Sequence, residues 1–549
     1  METDIRSATE KALSALGAEE VSFVVERPVD PAHGDYTVNA AMAAAKQLGK
    51  NPRELAETLA GSLQEALGEK VKTVEVAGPG FINITLSQKA VSFALSEAVA
   101  KGAEWGKGTQ EAGQRVMVEY SNPNAFKEMH IGHLIGSVVG EAMSRLIEGQ
   151  GATVARDTFG GDVGPHVAKA LWALKQEGVT EPESAKQIGE AYAKGSNAYD
   201  SSKEAKAEID ALNKAIYEGT DASLMDVWRR GREVSMEEFR RLWAQLGSTF
   251  DFEFFDSDTT EGGLRIVRDG LEKGVFEKSD GAVIYNGEGK GVHTMVFITS
   301  HDTPTYEAKD MGLAFLREER WPSDKVIIVT GQEQVGRFKT VLAALGDIAP
   351  RIAEKTKHVA TGFLTLTTGK MSSREGSVIT AAGLIEEIMQ KAGERNPDPL
   401  IAEQVAVGAI KYMILRQAPG TDIVFDPEKS LSLDGDSGPY LQYARVRAKS
   451  VLAKAAPQEG AMSEPEETPL LARLLVHFPE VAARAEASLA PNLLVTYLTE
   501  LASAWNSFYA GGRIIGGEHE QYGLLLAEAF AQTMSNGLVL LGIPAPEKM

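Results

Sequence analysis

Two histidines three residues apart, in His130-Ile131-Gly132-His133, are the first residues of this chain whose types and spacing suit chemistry. The run Arg115-Val116-Met117-Val118-Glu119-Tyr120 ahead of them is short, rich in β-branched residues and alternating, which predicts a strand. Behind them Leu134, Val138, Val139, Ala142 and Leu146 recur at three-and-four spacing, which predicts an amphipathic helix opening at Gly132 and His133. Both imidazoles then share a first helical turn, where free backbone N–H groups and the positive end of the dipole already favour phosphate. Taken alone, the same residues fit a Pro-Asn turn with two surface histidines equally well, because so short a match occurs by chance.

A partner lies downstream in Thr368-Gly369-Lys370-Met371-Ser372-Ser373-Arg374-Glu375-Gly376. A lysine and two hydroxyls on a glycine-bounded loop can supply charge and donors where negative charge develops on a phosphate. A solvated polar turn is the other reading of that stretch. No Gly-xxxx-Gly-Lys-[Ser/Thr] run is present, so a P-loop is not expected.

The elements that must position these residues follow an alternating pattern. Thr153-Val154-Ala155-Arg156 predicts a second strand running into Gly160-Gly161-Asp162-Val163-Gly164-Pro165, with Pro165 in the first turn of a helix. The stretches Phe250-Asp251-Phe252, 281–285, 325–331 and 357–360 predict that the sheet resumes, with a helix from Gln334 to Leu345 before the last of them. Such alternation argues for α/β architecture, a Rossmann-type parallel sheet with ligands at the carboxyl ends of its strands. A charged helical insertion is expected at about 180–250. Residues 1 to about 105 read as a separate small α/β domain, with a helix capped at Asn51-Pro52-Arg53-Glu54, an apolar stripe Leu55, Leu59, Leu63 and Leu67, and a stop at Gly68. Beyond Thr380 the pattern is all-α.

Composition bounds the rest. With 549 residues and 43% hydrophobic content, several domains with ample cores are expected. No run reaches membrane-span length and Met1-Glu2-Thr3-Asp4 lacks a signal-peptide layout, so a cytoplasmic location is expected. The absence of cysteine excludes disulfides, thiolate catalysis and cysteine-ligated metal, and the nine histidines lack paired metal-ligand spacing, so no protein-bound metal is expected. A net charge of −21 opposes nucleic-acid binding, although Arg229, Arg230, Arg232, Arg240 and Arg241, and later Arg445, Arg447, Lys449 and Lys454, form local basic clusters. Tyr440, Tyr443, Arg445 and Arg447 share one predicted helix, and Trp505, Phe508 and Tyr509 precede Arg513. Such mixtures suit unstacked bases if exposed and are core if buried, and the spacing alone favours core.

The two motifs, in that order on an α/β chain, resemble the signatures of class I aminoacyl-tRNA synthetases. Val118-Glu119-Tyr120-Ser121-Asn122-Pro123-Asn124, Gly438-Pro439-Tyr440-Leu441-Gln442-Tyr443, His33-Gly34-Asp35-Tyr36 and Ala77-Gly78-Pro79-Gly80-Phe81-Ile82-Asn83 narrow the resemblance to the arginyl-tRNA synthetase family, over nearly the whole length. The resemblance implies an arginine–tRNA ligase using Mg-ATP, L-arginine and tRNA(Arg), without a membrane and as a monomer. It implies a tRNA-elbow domain at 1–105, a catalytic domain at 106–375, a helical connecting region at 376–415 that meets the acceptor stem, and an anticodon-binding helical domain at 416–549. Catalysis falls to His130, His133, Lys370, Ser372 and Ser373. ATP is met by His130, Gly132, His133, Gly161, Asp162, Gly331, Val359, Lys370 and Met371, with Gly132 leaving room for adenine. Arginine is met by Glu119, Asn122, Asn124, Asp256, Tyr306, Asp310 and Gln334, and tRNA by His33, Asp35, Tyr36, Asn39, Tyr440, Tyr443, Arg445, Arg447 and Trp505. The guanidinium, a planar fork of five donors that keeps its proton, calls for fixed carboxylates and a hydroxyl such as Asp310, Asp256 and Tyr306. The chain departs from the family's common pattern at Val163, which is expected to alter how the substrates are lined, and at Gly512.

Overall fold

The computed structural model describes residues 1–367, 380–456 and 462–549. They form two compact units, one of Met1–Lys107, Tyr443–Ala482 and Tyr497–Gly537, the other of Gly108–Gln442, Ala483–Thr496 and Leu538–Met549.

In the larger unit, the described residues build a five-stranded parallel sheet in the order Thr356–Thr361, Lys325–Gly331, Arg115–Glu119, Thr153–Gly160, Phe252–Phe255. The chain enters at the central strand, adds strands on one side, then crosses to the other. The crevice where the order reverses therefore opens at the carboxyl end of Arg115–Glu119. The insertion is helical as expected, with Ala185–Ser201, Lys203–Glu218 and Ala222–Gln245 packed on Pro165–Gln176 through Ile188, Ile209, Trp228 and Leu171.

One strand departs from expectation. Ala282–Tyr285 is not part of the parallel sheet; it lies between Glu277–Ser279 and Met295–Ile298 in a separate antiparallel sheet. Asp280 and Gly281 both adopt positive φ (48° and 82°), the geometry of a two-residue hairpin turn, so the strands they join pair with each other.

The histidine helix, Ile131–Gly149, is fastened to the central strand through Tyr120. That ring fills the space beside Gly140, where an added Cβ would stand 2.2 Å from Tyr120 Cγ. The Tyr120 hydroxyl donates to Glu141 Oε2 at 2.6 Å. Glu141 is buried, which disfavours its charge, but Arg156 and Arg145 outweigh this and hold its carboxyl below the usual range. Between strand and helix the chain takes left-handed backbone at Ser121, Asn122 and Phe126 (φ 74°, 53° and 64°), a conformation that costs about 1–3 kcal/mol per non-glycine residue. The surroundings hold it: Ser137 and Trp243 both donate to Ser121 Oγ at 2.9 Å, and Phe126 N donates to Ser235 Oγ at 3.0 Å.

In the smaller unit, Val25–Glu26, Tyr36–Val38, Phe81–Leu86 and Val71–Ala77 form an antiparallel sheet in that order. Asn51 caps Pro52–Leu67, accepting from Arg53 N at 2.9 Å, and Leu55, Leu59, Leu63 and Leu67 are all buried. Among the described residues no helix is long and apolar enough to cross a membrane.

Because the Tyr120 ring is strapped at its hydroxyl and cannot move away, Gly140→Ala is expected to lower unfolding free energy by about 1–3 kcal/mol through overpacking. Urea denaturation measures this, and an unchanged midpoint would show that the strand and helix are not locked at this contact.

Candidate active site

A cavity of about 570 Å³ opens at the crevice, a volume suited to small-molecule ligands. Glu119, Asn122, Asn124, Asp256, Tyr306, Asp310 and Gln334 all line it, together with His130, Gly132, His133, Gly161 and Gly331. Residues from six separate stretches of the sequence thus meet in one space.

His130 is the N-cap of its helix, with extended backbone, and its Nδ1 accepts from Gly132 N at 3.1 Å. His133 Nδ1 accepts from His130 N at 3.4 Å, and the two rings stack at 3.6 Å. Burial, then the Lys127 ammonium, holds His130 below the ordinary imidazole range, with Glu333 pulling the other way. For His133 burial comes first, then His130 and Lys127, and the shift is larger. Both rings are therefore neutral at neutral pH. Because Nδ1 accepts a backbone proton in each, the ring proton sits on Nε2, and Nε2–H is the donor each ring has left for an anion. The space beside Gly132 is taken by His130: an added Cβ would stand 2.9 Å from its Cε1. Gly132 thus makes room for the capping imidazole.

The carboxylates are braced from behind. Asn122 Nδ2 donates to Glu119 Oε1 at 2.6 Å while its Oδ1 accepts from Phe159 N at 2.9 Å, so Asn122 lines the cavity with its amide engaged by its own chain, as a positioning residue. Arg317 donates to Glu119 and to Asp157 Oδ2, bridging neighbouring strands. Burial pushes the Asp157 carboxyl up to about 6 against the pull of Arg317. Lys309 Nζ donates to Asp256 Oδ2 at 2.9 Å, and burial outweighs this ammonium to raise the Asp256 carboxyl. Arg337 donates to Gln334 Oε1 at 2.8 Å and to Asp310. Burial pushes Asp310 up to about 7; Arg337 opposes the rise, while Glu119, Glu307 and Asp256 add to it. Tyr306 stays half-exposed on the wall, 5.4 Å from Lys309 Nζ. Lys309, Arg317 and Arg337 were missed in the sequence. Tyr306, Lys309, Asp310, Leu313 and Arg317 share one helical face, so charged residues recurring at three-and-four spacing, interrupted by Leu313, were the available signal.

Several expected contacts lie elsewhere. Asp162 is fully buried, accepts from Ser257 N, Ser257 Oγ and Arg232, joining the insertion to the sheet, and does not line the cavity. Val359 sits beside Val329 on the edge strand without lining the cavity. Val163, expected to alter the substrate lining, is packed in the core of the insertion. Lys370, Met371, Ser372 and Ser373 lie outside the described residues. The chain on either side of them reaches the cavity: Phe363 and Leu364 line it, Thr380 bridges to His130, and Ala381 N donates to Met129 O at 2.7 Å.

The residues expected to touch RNA divide by burial. Asp35 is buried, accepting from Leu86 N at 2.7 Å and Arg473 Nε at 2.6 Å, and the buried Tyr36 donates to Glu480. Both tie the N-terminal sheet to helices of the same unit and present nothing to a ligand. Asn39 is half-buried, and its side chain accepts from Val24 N. Trp505 is fully buried against Phe530 at 4.8 Å, and Arg445 is buried with Nε on Ser535, so both are core. His33 is exposed and Tyr440 half-buried. Tyr443 and Tyr509 flank Arg447, whose guanidinium lies 5.6 Å and 4.3 Å from their rings. Of the basic clusters, Arg229, Arg230, Arg232, Arg240 and Arg241 all pair with acids of the chain.

The family models that match are "tRNA synthetases class I (R), catalytic domain" over residues 94–427, "Arginyl tRNA synthetase N terminal domain" over 1–86 and "DALR anticodon binding domain" over 441–549. The chain belongs to the arginyl-tRNA synthetase family. An arginine–tRNA ligase of Treponema denticola is 31% identical, covering 96% of this chain and 94% of its own, and one of Streptococcus mutans is 30% identical over 97% of each. The solved arginyl-tRNA synthetase of Thermus thermophilus superposes with a TM-score of 0.83 at 27% identity over the whole of both chains. The parallel sheet, N-terminal region and C-terminal helices are those of this family.

Nitrogen-resolved NMR of the histidines checks the capping geometry. His130 and His133 are expected to be Nε2-protonated neutral tautomers through neutral pH, with His133 titrating the lower; a midpoint at or above the ordinary imidazole value for either would contradict the caps.

Proposed function

We propose that this cavity is where arginine is activated for transfer to tRNA. The chain is an arginine–tRNA ligase of class I, and the observation that carries the assignment of the site is the polarity of one cavity. Carboxylates, a phenol and an amide (Asp310, Asp256, Tyr306, Gln334) line it together with Nε2–H donors at a helix N-terminus (His130, His133).

The guanidinium takes Asp310, with Asp256, Tyr306 and Gln334 around it, because a fixed positive fork needs fixed negative charge. The amino-acid backbone then lies toward Glu119 and Asn124, near the histidine turn. A carboxylate oxygen of arginine attacks the α-phosphorus of ATP, the bond from that phosphorus to the bridging oxygen breaks, and pyrophosphate leaves. The tRNA 2′-hydroxyl next attacks the carbonyl carbon of the adenylate and AMP leaves. No protein nucleophile is required, and catalysis is positioning plus electrostatics. His130 and His133 donate to the α-phosphate as its charge redistributes, and Lys370 with Ser372 and Ser373 meets the leaving phosphates. Magnesium enters with ATP as part of the substrate.

Residues 1–105 serve the tRNA elbow, 106–375 the chemistry, 376–415 the acceptor stem and 416–549 the anticodon, with Tyr443, Arg447 and Tyr509 as a stacking surface. His33 and Tyr440 are accessible enough to join these contacts. A cytoplasmic monomer completes the reading, in keeping with a cysteine-free chain.

ATP–pyrophosphate exchange, run amino acid by amino acid with and without tRNA, tests the assignment: exchange is expected with arginine and to depend on tRNA, and exchange with another amino acid instead would overturn it. Asp310→Asn is expected to weaken arginine by about 2–5 kcal/mol, since one partner of a buried ion pair is lost; an unchanged arginine KM would remove Asp310 from the site. Only the ionised carboxylate holds a guanidinium, so with Asp310 pushed up to about 7 the arginine KM of the native chain should rise as pH falls through that value and level off above it. A KM independent of pH across that window would contradict the role.

A further inference from the structure

Four carboxylates line the cavity, Glu119, Asp256, Asp310 and Glu333, and three of them are met by a cation of the chain's own: Glu119 by Arg317, Asp256 by Lys309 and Asp310 by Arg337. Two of the cations are fixtures. Arg317 also donates to Asp157 and Lys309 also reaches the Tyr217 hydroxyl, and each side chain is only 5% exposed. Arg337 differs. Its side chain is 20% exposed, it lines the cavity, and its hydrogen bonds run to Asp310 and Gln334, the carboxylate and amide assigned above to the substrate. Its guanidinium carbon stands over the Phe338 ring, 4.7 Å from the centroid.

We propose that Arg337 is an internal stand-in for the substrate, a guanidinium that holds Asp310 and Gln334 in the empty site and is displaced when arginine enters. The proposal rests on the reading of the cavity as an arginine site. An unpaired carboxylate as buried as Asp310 is costly, and exchange of one guanidinium for another keeps it paired before and after binding. The exchange also sets selectivity. The two acceptors belong to different elements, Asp310 to the helix Tyr306–Arg320 and Gln334 to the turn Gln332–Gln334. A planar fork of donors can replace both bonds; an ammonium is a compact point charge, and an uncharged ureido group brings no charge to Asp310. A ligand without a guanidinium therefore leaves Arg337 in place and binds against it. The stand-in lowers apparent affinity in proportion to the fraction of molecules whose site is open, so a site held nine-tenths of the time raises the apparent arginine constant about tenfold.

Arg337→Met keeps an unbranched side chain while removing the fork and its charge, and Arg337→Lys keeps the charge without the fork. Arginine KM is measured for both by pyrophosphate exchange with tRNA across pH and read on the plateau above each variant's own Asp310 midpoint, which loss of Arg337 raises, alongside inhibition by lysine and by citrulline. With the stand-in gone, arginine KM should fall by roughly tenfold in Arg337→Met, and by less in Arg337→Lys. Lysine and citrulline should become better inhibitors in both variants. An arginine KM that is unchanged or raised in Arg337→Met overturns the proposal, as does selectivity that stays the same. Should Arg337→Met fail to fold, Arg337→Lys decides by the same signs. A merely structural Arg337 would instead lower kcat and raise KM together. Failure of the native chain to exchange with arginine would count against the arginine site itself, whereas native exchange without tightening in the variants would count against the stand-in alone.

Discussion

Carboxylates buried at the carboxyl ends of parallel strands are tolerated only when cations face them, and the site depends on that constraint. Glu119 ends the central strand, Asp157 lies on its neighbour, and Arg317 joins them from the helix Tyr306–Arg320. Lys309, two turns earlier on that helix, holds Asp256, and Asp310 next to it is held by Arg337. A cluster of acids able to recognise a guanidinium would repel itself without these partners. The pairing lets the fold keep such a cluster beside a second region built for the opposite charge.

That second region owes its polarity to a helix start. Left-handed backbone at Ser121 and Asn122 turns the chain from strand to helix, and the capping imidazoles of His130 and His133 fix where the helix begins. Burial keeps both rings neutral, so their Nδ1 atoms cap the backbone and their Nε2–H groups are donors that bring no full charge near the carboxylates. Positive and negative recognition can then sit within one cavity at modest electrostatic cost.

Much of the fold was legible because its signals are local. The β-branched run before His130, the three-and-four spacing behind it and the Asn51 cap each report a structure formed within a few residues. The Asp280-Gly281 turn was equally local and was passed over, which misplaced Ala282–Tyr285 in the parallel sheet. Four of the RNA-facing assignments, Asp35, Tyr36, Arg445 and Trp505, fall on buried side chains for a different reason. Asp35 finds Arg473 and Tyr36 finds Glu480 more than 430 positions away, and Trp505 finds Phe530, so polar or aromatic character alone could not tell a surface from a joint. In the cavity, the motif words led to residues that the fold gathers in one space. The cations that make those acids bearable were announced only by their shared face on the helix Tyr306–Arg320, and that spacing does not say which acids Arg317 and Lys309 meet.

The central claim is that arginine binds with its guanidinium in the acid cluster and its carboxylate toward the histidine turn. A crystal structure of the chain with arginine and a non-hydrolysable ATP analogue tests it most directly. The account predicts the guanidinium within hydrogen-bond reach of Asp310, with the α-carboxylate turned toward the α-phosphate beside His130 and His133. Arginine bound in the reverse sense, or outside the cavity, would contradict it.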